Sequence, residues 1–120
     1  MAVKMDKKLK NLLEKNALAF ATVNRRGDPH CITVSNLKVI SKNRLLIGDR
    51  YMAETIRNIQ QNNRVALTIW SEGWRKKSVG YELQGTAKYF TSGKWKKLFE
   101  RKIKVKGVIL VTISKIKELA

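Results

Sequence analysis

The stretch Asn24-Arg25-Arg26-Gly27-Asp28-Pro29 constrains this chain most, because it forces a reversal between two apolar runs. Gly27 is free to take a positive φ, and Pro29 restricts the residue before it. Before the turn lies ALAFATVN (17–24), which alternates small and larger apolar groups; after it lies HCITVSN (30–36). Both read as strands. The pattern recurs. Residues 37–41 and 44–48 flank Lys42-Asn43 as a hairpin, and 64–70 and 78–90 read as further strands. A last strand spans 107–114, followed by a lysine-bearing tail. Gly80 and Gly85 are expected bends or bulges in the long strand.

Helices are few. DKKLKNLLEK (6–15) puts Leu9, Leu12 and Leu13 on one face, with Asp6 as the N-cap. Residues 52–61 place Met52, Ile56 and Ile59 on one stripe. A third helix, capped by Thr91 or Ser92, presents Trp95, Leu98 and Phe99. Many strands, short turns and few helices predict one mainly β (α+β) domain over residues 1–120. The expected architecture is a six-stranded antiparallel β-barrel with short helices at its ends or side. A core of this size is small, so dimerisation would bury useful further surface.

Composition narrows the functional classes. Hydrophobic residues at 43% exclude a disordered chain. No apolar run approaches a membrane span, and the basic N-terminus lacks the apolar stretch of a signal peptide. The single cysteine, Cys31, rules out an internal disulfide and fits a cytoplasmic protein. One His and one Cys give no transition-metal cluster. The net charge of +17, from 26 Lys+Arg against 9 Asp+Glu, suits an anionic partner. Nucleic acid, anionic lipid and a phosphorylated small molecule all fit, as does a solvated lysine coat.

The segment GDRYMAETIRNIQQNNRVALTIW (48–70) places Arg50, Tyr51 and Thr55 around the start of a short helix. A helix start offers unpaired N–H groups and the positive end of a dipole, so it readily receives a phosphate. The plainer reading is a crossover between two strands.

Several short motifs, taken in order, resemble the FMN-binding split barrels of the pyridoxamine-5′-phosphate-oxidase-like family. They are Ala21-Thr22-Val23, then Gly27, then Pro29-His30 in the first hairpin. Asn58-Ile59 and Asn63-Arg64-Val65-Ala66-Leu67 follow, and later Gly85-Thr86-Ala87. The likeness covers about residues 8–119 and is nearest to the small FMN-binding proteins. It implies a homodimer with FMN at the shared interface. It further implies that Thr33, Val34, Ser35 and Asn36 line the flavin ring. Asp49, Arg50, Tyr51, Met52 and Thr55 would surround the phosphate, with Arg50 as cation and Thr55 as hydroxyl donor. The chain departs from the pattern at Glu54, where relatives commonly carry Lys or Arg. A carboxylate there repels a phosphate unless it points away. The family also has members that bind haem or deazaflavin.

Trp74, in a basic loop, is a candidate to cover the flavin ring or to anchor a dimer contact. Trp70 and Trp95 read as packing residues, His30 as structural with no acid partner in view, and Cys31 as a buried inert thiol. The function implied is flavin redox chemistry: electron transfer to an unknown redox partner, or oxidation of a small substrate. Its rival is a basic β-barrel that binds RNA or single-stranded DNA, since aromatics interleaved with Lys and Arg suit stacking and phosphate contact.

Overall fold

Alternation decides the sheet. In the first strand Leu18, Phe20 and Thr22 are buried while Ala19, Ala21 and Val23 are half-exposed, the period-2 signature of a sheet with one face on a core. The computed structural model describes residues 3–71, 79–101 and 103–119. The element order is α1 (Lys7–Lys15), β1 (Leu18–Val23), β2 (Pro29–Val34), β3 (Leu37–Ser41), β4 (Arg44–Asp49) and α2 (Ala53–Gln61). After these come β5 (Arg64–Trp70), β6 (Gly80–Phe90), α3 (Lys94–Phe99) and β7 (Gly107–Leu119).

All seven strands join one antiparallel sheet in the order β2-β1-β5-β6-β7-β4-β3. The two edge strands, β2 and β3, are consecutive in sequence and linked only by Ser35-Asn36. Two residues cannot span an open sheet, so the sheet curls until its edges meet, giving the expected split barrel. The barrel has seven strands among the described residues rather than six, because every segment that reads as a strand joins the one sheet.

The core fills the barrel with Phe20, Leu18, Leu45, Ile47, Leu67, Ile69, Leu83, Ile109 and Val111, each nearly or fully buried. The amphipathic helix α1 adds Leu9 and Leu13. Its N-cap is Asp6, whose Oδ1 accepts the Leu9 N–H at 2.9 Å. From the same helix Glu14 Oε2 accepts the Val39 N–H at 2.8 Å. That bond satisfies a donor on the edge strand β3, where an open N–H would otherwise invite pairing with another chain.

The turn after β1 forms as expected, with Gly27 at φ 87°. Asn24 Oδ1 accepts the N–H groups of Arg26 and Asp28 at 2.9 and 3.0 Å. Gly85 sits at a register shift in β6, as anticipated, and a Cβ there would strike the Thr112 carbonyl. Gly80 pairs in register with Leu119 and makes no bend. Residues 115–119, taken for a tail, continue β7 because the first half of β6 is long enough to pair with them. Helix α3 starts at Gly93, at φ 92°, without a side-chain cap, so neither Thr91 nor Ser92 caps it.

Two side chains, Cys31 and Trp70, lie elsewhere than expected, while Trp95 packs as read. Cys31 faces outward, opposite Ala21, and is exposed. Its parity on β2 is opposite to that of buried Val34. Trp70 is 47% exposed at the end of β5. Trp95 is half-buried against the small Phe99–Val105 cluster, with Lys94 Nζ 4.6 Å from its ring centre.

Candidate functional site

The site begins at the seam of the barrel. The Gly48 N–H donates to the Asn36 carbonyl at 2.9 Å, so the Thr33–Asn36 segment meets the start of the Asp49–Thr55 segment. These are the two stretches that the family resemblance assigns to one ligand. Gly48 has no room for a side chain: a Cβ would lie 2.6 Å from Phe99. Thr33 and Ser35 are exposed, Val34 is buried and Asn36 is half-buried. Ser35 and Asn36 line an open cleft of about 440 Å³ with Glu14, Lys38, Phe99 and Ile103 among its walls.

Asp49 builds the next turn from beneath. It is 4% exposed, and its Oδ1 accepts the Met52 N–H at 3.0 Å. Its Oδ2 accepts the Tyr89 hydroxyl at 2.5 Å, and its carbonyl accepts the Lys106 N–H at 2.9 Å. Burial first, then the hydrogen bond and charge of Asp49, push the Tyr89 hydroxyl up to about 12. The buried Asp49 carboxylate thus fixes the backbone while Arg50 and Tyr51 project outward, Tyr51 at 88% exposure. These two line a second open cleft, of about 290 Å³, with Lys104, Val105 and Lys106.

Helix α2 starts at Met52, which makes no side-chain cap. Thr55 lies on its inner face, 1% exposed, and its Oγ1 finds no partner among the described residues. An orphaned hydroxyl near a helix start is uncommon. Glu54 is turned toward β2, with its Oε2 3.0 Å from His30 Nδ1. The geometry follows from register. His30 pairs with Thr22 on β1, and Thr22 Oγ1 accepts from Asn58 Nδ2 of α2 at 3.0 Å. Glu54 lies one turn before Asn58 and so falls beside His30. His30 therefore has an acid partner, contrary to the sequence reading. Trp74 lies outside the described residues.

Sequence reasoning missed Tyr89, and it weighs the basic faces of 94–106 as solvated or able to steer an anion without singling out Lys104 and Lys106. Tyr89 carried a signal: it shares inward parity on β6 with Leu83 through the small residues Gly85 and Ala87. The two lysines carried one as well: Lys102-Ile103-Lys104-Val105-Lys106 alternates with a period of two, which sets the lysines on one face and the apolar residues on the other.

The model of the family described as pyridoxamine 5′-phosphate oxidase matches residues 5–119. The chain belongs to this family. An uncharacterised relative from Methanocaldococcus jannaschii is 30% identical over 126 aligned residues, covering 98% of this chain and 82% of its own. Among solved structures, HupZ of Group A Streptococcus is similar at a TM-score of 0.82 and 22% identity. That likeness covers 96% of this chain and 94% of HupZ. An FMN-binding protein of Syntrophomonas wolfei gives a TM-score of 0.82 at 13% identity, covering 92% and 83%. At these identities the two structures establish the shared split-barrel fold of the pyridoxamine 5′-phosphate oxidase family.

Proposed function

We propose that this chain binds FMN as a homodimer and serves as a redox protein: an electron carrier or a small flavin-dependent oxidoreductase. The observation that carries the proposal is the Gly48–Asn36 bond, which makes the ring-lining segment and the phosphate segment neighbours. The residues present fit a flavin nucleotide. Arg50 stands exposed at the turn, α2 offers its first N–H groups, and Thr55 Oγ1 is a donor without a partner. Glu54, which would oppose a phosphate, is engaged by His30.

When bound, FMN supplies the one- and two-electron chemistry, and the protein supplies orientation and electrostatics. Thr33, Val34, Ser35 and Asn36 position the ring, with Ser35 and Asn36 near enough to the Phe99 cleft to donate hydrogen bonds. Asp49 holds the turn, and Arg50, Tyr51, Met52 and Thr55 receive the phosphate end. Trp74 is assigned to the ring or to the subunit contact. The fold shared with an FMN-binding protein is in keeping with FMN as the ligand.

The homodimer rests on charge. A chain of +17 repels its own copies over most of its surface. The outer face of β1 is uncharged, with Ala19, Ala21 and Val23 paired against Thr33, Cys31 and Pro29 of β2. Two copies meeting there would put Thr33, a ring-lining residue, beside the partner. Sedimentation at micromolar concentration should give about twice the chain mass, the commonest oligomer being a two-fold dimer. A clean monomer with and without FMN contradicts both the dimer and the shared site.

The flavin itself is tested by incubating purified protein with FMN and desalting. Retained flavin absorbance is expected. Failure to bind FMN at high protein concentration, with labelled RNA binding steeply dependent on salt, would instead favour the nucleic-acid reading.

A further inference from the structure

Three cations line the cleft at the turn after β4. Arg50 comes from the turn after β4, and Lys104 and Lys106 come from the segment before β7. Both lysines are exposed while Val105 between them is buried, so they are held outward by an anchored backbone. That backbone is pinned from two sides. The Val105 N–H donates to Glu100 Oε2 at 3.1 Å, and the Lys106 N–H donates to the Asp49 carbonyl at 2.9 Å.

No carboxylate among the described residues forms an ion pair with any of the three. Asp49 is buried and spends both oxygens on Met52 and Tyr89. Glu54 is on His30. Glu100 feels the charge of Lys104, but its oxygens accept from the Val105 N–H and from Lys96 Nζ at 3.2 Å. Gathering three like charges is unfavourable, and an anion in the cleft relieves it. Tyr51 adds a wide, open ring, with Lys106 Nζ 5.7 Å from its centre.

We propose that Lys104 and Lys106 complete, with Arg50, a phosphate cleft whose ligand is a phosphate ester of a planar ring. That the ester carries a ring, and that the ring is a flavin, rests on the function proposed above; the phosphate chemistry does not. The segment between α3 and β7 thus contributes binding residues, and the positive charge absent at position 54 arrives from there.

The test uses the full chain and the double variant Lys104→Ala/Lys106→Ala, titrated with FMN, riboflavin and inorganic pyrophosphate. A second double variant, Lys115→Ala/Lys117→Ala, removes the same net charge from exposed positions on β7. The Lys104/Lys106 variant should weaken FMN and pyrophosphate by about tenfold or more, the scale of one charge-assisted hydrogen bond, and leave riboflavin unchanged. The β7 variant should shift FMN and pyrophosphate much less. If both double variants weaken pyrophosphate equally, or if FMN and riboflavin respond alike, the cleft is overturned. If the wild type binds neither flavin but binds pyrophosphate through Lys104 and Lys106, the flavin reading fails and the phosphate cleft stands.

Discussion

The Asp49→Ala variant is expected to lose about 3–6 kcal/mol of stability, from two hydrogen bonds to a charged group at roughly 1.5–3 kcal/mol each. The substitution strips the Met52 N–H and the Tyr89 hydroxyl of their acceptor at a buried site. It also frees the turn that carries Arg50. Urea unfolding at neutral pH measures it, and a loss under about 1 kcal/mol would mean that the network is idle. Tyr89→Phe should cost less, because Asp49 keeps its bond to Met52.

The same pair sets an alkaline signature. The folded Tyr89 hydroxyl is raised to about 12 from an ordinary 10, so the folded state holds this proton more tightly than the unfolded chain. Its contribution is fully present below pH 10 and is lost as pH rises through 12. Tyr89→Phe should therefore remove part of the fall in stability across that window. An identical alkaline profile in the variant would show that Tyr89 does not titrate with folding.

Arg50→Ala should lower FMN affinity about tenfold to a hundredfold, because a charge-assisted hydrogen bond to phosphate is worth roughly 1.5–3 kcal/mol. Riboflavin, which lacks the phosphate, should barely respond. Arg50 is exposed and makes no ion pair among the described residues, so its removal should not disturb folding. Glu54→Lys has a smaller expected effect than its sequence position suggests. The native carboxylate already leans on His30 of β2 and is 60% exposed there. Equal responses of FMN and riboflavin to Arg50→Ala would mean that the turn after β4 is only a crossover.

Much of the fold was legible because alternation and turn chemistry are local. Gly27, Asp6 and the Leu9–Leu13 stripe act within a few residues, and the structure keeps each as read. The family resemblance came from the same kind of short signal. What escaped was set by register between distant strands. Tyr89 reaches Asp49 across 40 residues, and His30 reaches Glu54 only because Thr22 carries both β2 and α2. The end of β7 was hidden by Lys115 and Lys117, which read as a solvated tail until a long β6 pairs with them. Lys104 and Lys106 become a site only when the Asp49 carbonyl and Glu100 hold their backbone beside Arg50.

Parallel titrations of the purified chain with FMN, riboflavin, a deazaflavin and haem, followed by visible difference spectra, decide the cofactor. FMN should saturate at one per chain and bind more tightly than riboflavin, with the difference abolished in Arg50→Ala. Saturation by haem or deazaflavin with no FMN spectral change would contradict the assignment and move the ligand class, while leaving the split barrel and its family untouched.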